Sequence, residues 1–162
     1  MLDLFQSLPQ VGTVNWIGLR PGKRQPMTVV NEVEVCLEQG LIGDRYSGKP
    51  GGKRMVTLIQ AEHLEVMAKL LGETDLPPST LRRNIVVSGI NLLSLKAPGQ
   101  EFHFKIGEAI LQMTGPCHPC SRMEEVLGPG GYNAMRGHGG ITASVIKAGK
   151  VSLGDCVELV ID

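Results

Sequence analysis

The sequence predicts a mainly β protein, a closed or nearly closed β-barrel with a few short helices. Several stretches alternate apolar and polar residues with the period of two that is typical of half-buried strands. Only two segments repeat apolar residues at helical spacing, and glycine, with 21 of the 162 residues, separates the short elements. A barrel is favoured because closure removes the exposed edges that many short strands would otherwise leave.

The strand pattern recurs along the whole chain. It is clearest in 32-EVEVCLE-38, where Val33, Val35 and Leu37 are expected to face a core. Trp16, in the first apolar stretch, is expected to pack in that core as well. The remaining predicted strands are residues 11–19, 55–59, 84–88, 108–114, 141–147 and 157–162.

Two helices are predicted. Residues 60–72 form an apolar face that ends at Gly72, and this face consists of Leu64, Met67, Ala68 and Leu71. Residues 121–128 form the second, with Ser121 as its cap and an apolar side made of Met123, Val126 and Leu127.

Length and charge limit the classes of function. A chain of 162 residues is expected to form one domain over residues 1–162. Sixteen basic and sixteen acidic side chains cancel, so no overall field attracts nucleic acid or an anionic membrane. No signal peptide or membrane span is visible, which predicts a cytoplasmic protein.

The segment 117-CHPC-120 offers three kinds of chemistry. A structural zinc site needs four ligands, whereas Cys36 and Cys156 fall in predicted strands, where a cysteine behaves as a small buried apolar residue. A dithiol oxidoreductase would use both Cys117 and Cys120, but the βαβ pattern of such proteins is missing. The third hypothesis is a single activated sulfur on Cys120, which directly precedes a predicted helix and lies near Arg122.

Basic residues in two other segments suit an anionic ligand. Residues 40–54 carry four cations among five glycines, although a solvated turn is the alternative interpretation. Arg82 and Arg83 stand at a strand entrance, where one side chain can point into a site while the other covers the surface. A pair of solvated arginines is the alternative there.

These segments together resemble the MOSC domain, named for the C-terminal domain of molybdenum cofactor sulfurase. The resemblance rests on 40-GLIGDRY-46, 81-LRRNIVVSGINLL-93, 114-TGPCHPCSRME-124 and 139-GGITASVIKAGKVSLGDCV-157, in the order and spacing of that family. The chain is most similar to the small stand-alone bacterial type, without an attached cysteine desulfurase or ferredoxin domain.

The resemblance implies a barrel that binds a molybdenum–pterin cofactor or carries sulfur as a persulfide on one cysteine. That cysteine, also the metal ligand, corresponds to Cys120. If Cys120 holds the metal, Asp44 or Tyr46 is expected to relay protons near it as a catalytic residue, although many members of the family have histidine where Tyr46 stands. The implied cofactor-binding residues are Arg45, Arg82, Arg83, Asn84, Arg122, Gly139 and Gly140.

The resulting hypothesis is a molybdenum-dependent reductase of N-hydroxylated or oxidised small molecules, or a carrier of transferable sulfur. Its partners would be a small-molecule substrate or cofactor and an electron-donor protein or pyridoxal phosphate-dependent cysteine desulfurase. The alternatives are a non-catalytic module that delivers cofactor or sulfur, and the CxxC dithiol oxidoreductase.

Overall fold

A computed structural model describes residues 4–46 and 48–160. Within these ranges the chain forms three α-helices: α1 (Ala61–Leu70), α2 (Ser121–Leu127) and α3 (Gly131–Met135). The strands in the same ranges are β1 (Gly12–Leu19), β2 (Thr28–Val30), β3 (Glu32–Cys36), β4 (Gly40–Leu41), β5 (Val56–Gln60), β6 (Ile85–Ser88), β7 (His103–Ile106), β8 (Ala109–Pro116), β9 (Ile141–Lys147), β10 (Gly149–Ser152) and β11 (Cys156–Val160). Short 3-10 turns occupy Leu4–Gln6, Pro78–Leu81 and Leu92–Leu95.

Seven strands close into a barrel. Neighbouring strands pair in the order β11, β7, β8, β9, β5, β6 and β1, and β1 returns to β11 through Gly12 opposite Val157. All of these pairs are antiparallel except β5 with β6, which are parallel and connected by α1. The predicted mainly β barrel with a few short helices is confirmed.

Apolar side chains fill the barrel and a second layer beneath the helices. Phe104, Ile17 and Leu58 are fully buried in the barrel core. The second cluster consists of Ile59, Leu64, Met67, Leu81, Val86, Met123 and Met135. Trp16 is half-buried against this second cluster instead of inside the barrel, because the ladder of β1 with β6 shifts register between Val14 and Trp16.

The predicted strands and helices are present, but several details were wrong. Leu37 is 43% exposed because β3 ends at Cys36 and a turn follows. Val126 is 41% exposed, and the cap position of α2 is held by Cys120, with no side-chain capping bond.

Two of the cysteine predictions also need correction. Cys36 is only half-buried and Cys156 is exposed. In β11 the alternation turns Val157 into the core, which leaves Cys156 on the outside. Residues 161 and 162 of the last predicted strand lie outside the described residues.

The helices are short. Across residues 4–46 and 48–160, none is long and apolar enough to cross a membrane.

Candidate functional site

The two cysteines of the CHPC segment lie in different environments. The segment connects the end of β8 to the start of α2. Cys117 is 4% exposed, and its backbone N–H donates to the Gly140 carbonyl at 2.8 Å. Cys120 is exposed. An external reactant or ligand therefore reaches the sulfur of Cys120 and not that of Cys117.

A hollow of about 470 Å³ opens in front of Cys120, and we call it the Cys120 pocket. Lys53 and Arg54 bring positive charge to its rim, and both side chains are exposed. The pocket is lined by Lys53, Arg54, Thr114, Gly115, Pro116, His118, Pro119, Cys120 and Thr142. Lysine and arginine next to an accessible thiol suit an anionic ligand.

Arg83 is buried behind the cysteine segment. Its Nε donates to the Gly139 carbonyl at 2.8 Å and its Nη1 to the Leu81 carbonyl at 3.0 Å. Its Nη2 is buried and has no hydrogen-bond partner among residues 4–46 and 48–160. Burial lowers the pKa of Arg83, while the nearby side chains of Cys117 and Cys120 act in the opposite direction. The guanidinium therefore lies beside both cysteines with one free donor group.

Arg82 points to the other side of the chain, as expected for adjacent residues. Its φ of 58° places it in the left-handed region, and its guanidinium donates to the carbonyls of Gly22 and Gln25. Burial lowers the pKa of Arg82, and the neighbouring charges of Arg20, Arg122 and Arg45 lower it further, opposed by Asp44. The interpretation of two solvated arginines is wrong for Arg83, which is buried, whereas Arg82 is half-buried and binds two backbone carbonyls.

Asp44 is enclosed by donors. Arg20 approaches it with Nε at 3.1 Å from Oδ1, Nη2 at 2.8 Å from Oδ2 and its backbone N–H at 2.8 Å from Oδ1. The Asn84 amide adds a fourth bond, to Oδ1 at 3.1 Å. Burial by itself raises the pKa of the Asp44 carboxyl, but the hydrogen bonds and charge of Arg20, together with Asn84, hold it below its usual range.

Asn84 joins this ion pair to the barrel. Its Oδ1 accepts from the backbone N–H and the hydroxyl of Thr57, both at 3.1 Å. Its Nδ2 donates to the Gly18 carbonyl at 3.1 Å and to Asp44. The amide is fully buried and every polar atom has a partner, so Asn84 fixes β1, β5 and Asp44 relative to one another.

Gly139 and Gly140 allow the close approach of three chain segments. A Cβ on Gly139 would collide with the Cys117 carbonyl and lie 3.4 Å from Nη2 of Arg83. Gly140 has a φ of 89°, and a Cβ there would collide with the Leu58 carbonyl. Both positions therefore require glycine, since any Cβ would collide with a neighbouring carbonyl. The close approach lets the carbonyls of the turn bind Arg83 and Cys117.

The remaining predicted residues lie around these groups. The Tyr46 hydroxyl donates to the Lys49 carbonyl at 2.9 Å, and its half-buried ring packs against the barrel core. Arg45 is exposed and Arg122 is half-buried. Among residues 4–46 and 48–160, no three His, Cys, Asp or Glu side chains come together to hold a metal ion.

Sequence reasoning missed Arg20 and the two threonines of the Cys120 pocket. Arg20 directly follows a predicted strand and begins the basic segment 20-RPGKR-24, which was a usable indication of an anion-binding loop. Thr114 and Thr142 carry no such indication, because only the pairing of β8 with β9 brings their hydroxyls within 2.7 Å.

Solved structures share this fold. The chain aligns with the YuaD protein of Bacillus subtilis at a TM-score of 0.78 and 21% identity, over 93% of this chain and 96% of that one. It aligns with YiiM of Escherichia coli at a TM-score of 0.70 and 25% identity, over 95% and 71% of the two chains. For YiiM of Geobacillus stearothermophilus the TM-score is 0.73 at 18% identity, over 93% and 75%.

Sequence comparison adds the family. No match was found among curated proteins. Residues 43–158, which contain the CHPC segment, the arginine pair and the Gly139–Gly140 turn, match the model of the MOSC domain. This match spans more than half of the chain, and the chain therefore belongs to the MOSC domain family, a family associated with molybdenum cofactor.

Proposed function

We propose that this protein binds a molybdenum–pterin cofactor through Arg83 and its neighbouring arginines, with the Cys120 thiolate as the metal ligand. The observation that carries the proposal is the buried Nη2 of Arg83, which has no hydrogen-bond partner in the part of the chain that the structure describes. An unpaired buried donor costs about 1–3 kcal/mol of stability. An anionic oxygen offsets this cost best, because its hydrogen bond to a guanidinium is charge-assisted. The phosphate of a pterin cofactor offers such oxygens.

The arginines around Arg82 support the same ligand. Arg20, Arg45 and Arg122 all lie close enough to Arg82 to lower its pKa, and Asp44 is the opposing charge. Such a concentration of like charge is unfavourable until an anion neutralises it. Arg45 and Arg122 would hold the anionic part of the cofactor directly, since their side chains are not committed to Asp44.

Cys120 is the residue we assign to the metal. A thiolate is a ligand that soft and transition metals accept, and Cys120 is exposed while Cys117 is buried. When bound, the cofactor supplies a metal centre that exchanges electrons with a substrate, and the protein supplies position and charge. The activity we propose is the reduction of N-hydroxylated or oxidised small molecules.

Asp44 and Asn84 are positioning residues in this proposal. Asp44 was expected to relay protons, but its carboxylate accepts four hydrogen bonds and its pKa is lowered, so we assign it to holding Arg20 and Asn84 in place. Gly139 and Gly140 hold Arg83 and Cys117 through their carbonyls. Tyr46 keeps its predicted role in proton transfer, from a half-buried phenol near Asp44 in sequence.

A sulfur carrier is the second candidate function. The same exposed thiol would take up sulfur as a persulfide from a cysteine desulfurase and pass it on. This transfer requires an accessible Cys120 thiol and does not involve Cys117, which is buried. The single domain over residues 1–162 and the cytoplasmic location stay predictions under both functions.

The test compares molybdenum and released pterin per protein in Arg83→Gln and in the matched variant Arg136→Gln, after expression in a host that makes the cofactor. Arg136 is exposed, and its guanidinium donates to the Asn133 side chain at 3.3 Å, away from the cysteine segment. Loss of a charge-assisted bond predicts that Arg83→Gln retains the cofactor at least about tenfold more weakly than the wild-type protein. Arg136→Gln is expected to retain the cofactor as well as the wild-type protein does. A folded Arg83→Gln protein with full molybdenum and pterin would contradict the proposal.

A further inference from the structure

Three hollows on the barrel wall join into one groove. The Cys120 pocket shares Lys53 and Thr114 with a middle hollow of about 410 Å³. The middle hollow shares Met113 and Lys96 with a third hollow of about 530 Å³, which we call the apolar trough. Pro116 lines both the apolar trough and the Cys120 pocket, so the trough adjoins the pocket that contains the cysteine.

The groove follows an irregularity in β8. Opposite β9, the register shifts between Met113 and Gly115, which leaves Thr114 without a partner in the ladder. The Thr114 hydroxyl instead contacts the Lys53 carbonyl and lies 2.7 Å from the Thr142 hydroxyl. Bulges of this kind re-aim side chains beside functional sites. Here the bulge joins the middle hollow to the Cys120 pocket.

The two ends of the groove differ in character. The trough is lined mainly by apolar groups, among them Leu93, Ala97, Pro98, Met113 and Pro116. Leu93 is 41% exposed, so its side chain contributes accessible apolar surface to the trough.

Charge changes along the groove. Lys96 stands at the transition, where its Nζ donates to the Thr114 carbonyl at 3.1 Å. Lys53 adds a second cation, and Glu101 is the acidic residue of this section, so the lining favours an acceptor-rich group there.

We propose that this groove binds the substrate of the Cys120 site, and that the substrate is an elongated amphipathic small molecule. Its apolar ring or chain lies in the trough, on Leu93, Pro98 and Pro116. Its oxygen-bearing or anionic end passes Lys96 and Lys53 to reach Cys120. The volume of the trough is in the range of small-molecule sites and holds a ring system. This inference rests on the proposed role of Cys120 as the reactive sulfur.

The experiment measures the rates at which N-phenylmaleimide and N-methylmaleimide label Cys120, by peptide mass spectrometry on the cofactor-free protein. Exposed Cys156, which lies outside the groove, reports the intrinsic difference between the reagents in the same molecule. Relative to Cys156, we expect Cys120 to prefer the phenyl reagent by about tenfold, which corresponds to about 1.4 kcal/mol.

Variants assign the preference to the trough. Leu93→Glu and, independently, Pro98→Glu are expected to reduce the preference of Cys120 for the phenyl reagent to within about twofold of that of Cys156, because a charge replaces apolar lining. Leu153→Glu is the control, since Leu153 is 44% exposed and lies in the turn before β11. The control is expected to keep the full preference.

The outcomes separate the groove from the function on which it rests. Equal preference at Cys120 and Cys156 in the wild-type protein, or a preference that survives both trough variants, overturns the groove. If neither reagent labels Cys120 while both label Cys156, the reactive sulfur is overturned, and with it the proposed function.

Discussion

The ion pair between Asp44 and Arg20 gives the sharpest prediction about stability. Asp44→Asn keeps the size of the side chain but removes its charge and one of its two acceptor oxygens. The carboxylate accepts four hydrogen bonds and its side chain has no exposed surface. In the variant, one carboxylate oxygen becomes an N–H₂ group, which must face either Nη2 of Arg20 or the three donors that bind Oδ1. At least one hydrogen bond is therefore lost, and a donor is placed against another donor.

The expected cost follows from these contacts. One lost charge-assisted bond is worth about 1.5–3 kcal/mol, and the remaining bonds weaken when their acceptor becomes neutral. We therefore expect unfolding free energy to fall by about 3 kcal/mol, which is at the lower end of the loss for a broken buried pair. With a slope of about 2 kcal/mol per molar urea, the unfolding midpoint at pH 7 would fall by about 1.5 M.

The pH dependence has a definite sign. The pKa of Asp44 is lower in the folded protein than its ordinary value of 3.8, so its stabilising contribution is present above that value and is lost as pH falls through the folded pKa. The difference in unfolding free energy between wild type and Asp44→Asn is therefore fully present at pH 7 and becomes smaller as pH falls below about 4. Urea unfolding at several pH values measures this directly.

An exposed ion pair provides the control. Glu32 and Lys150 lie 3.2 Å apart, with side chains 60% and 45% exposed, so Glu32→Gln should leave the midpoint unchanged. A midpoint for Asp44→Asn that moves no more than that of Glu32→Gln would refute the reasoning, because the carboxylate would then contribute nothing beyond a surface charge.

Two further predictions concern the turn beside the cysteines. Gly139→Ala should lower the free energy of unfolding by about 1–3 kcal/mol in urea, because the new Cβ collides with the Cys117 carbonyl. Gly115→Ala is the control, since a Cβ there meets open space, and it should not lower stability in this way. Equal losses in the two variants would contradict the prediction. The rings of His63 and His138 lie 5.2 Å apart, and burial, followed by the charge of His138, lowers the pKa of His63 from 6.5. As pH falls, the imidazole of His63 is protonated at higher pH in the unfolded chain than in the folded protein, so stability should decrease below about pH 6.5. His63→Gln should reduce this dependence of the unfolding free energy on pH. An unchanged dependence would show that the histidine pair does not cause it.

The local pattern of the sequence predicted the barrel well. Val33 and Val35 alternate with glutamates, and the strand they predict is β3, with both valines buried. The alternation did not show where a strand stops, so Leu37 was assigned to a strand that ends one residue earlier. The shorter strands β2, β4, β7 and β10 were missed because two to four residues carry too little periodicity.

The site was predictable only where its residues adjoin in sequence. Arg83 and Cys120 stand in recognisable segments, but the partners that define their environment are distant along the chain. Arg20 and Asp44 are 24 residues apart, and Arg83 reaches the carbonyl of Gly139 across 56 residues. Such contacts depend on barrel closure and register, which no local pattern specifies.

The burial difference between Cys117 and Cys120 is of the same kind. Both follow a proline in one short motif, yet the Gly140 carbonyl binds the backbone of Cys117 and draws it inside. The sequence motif alone left zinc, dithiol and single-sulfur chemistry open, and the three-dimensional arrangement favours the single sulfur.

The central claim is that Cys120 holds the metal of a molybdenum cofactor. The most direct measurement is the molybdenum content per protein after anaerobic purification from a host that makes the cofactor. Wild type and Cys156→Ser, which removes an exposed thiol away from the site, should contain close to one molybdenum per chain, and Cys120→Ser should contain none. Molybdenum that persists in Cys120→Ser, or that is missing from all three proteins, would contradict the account.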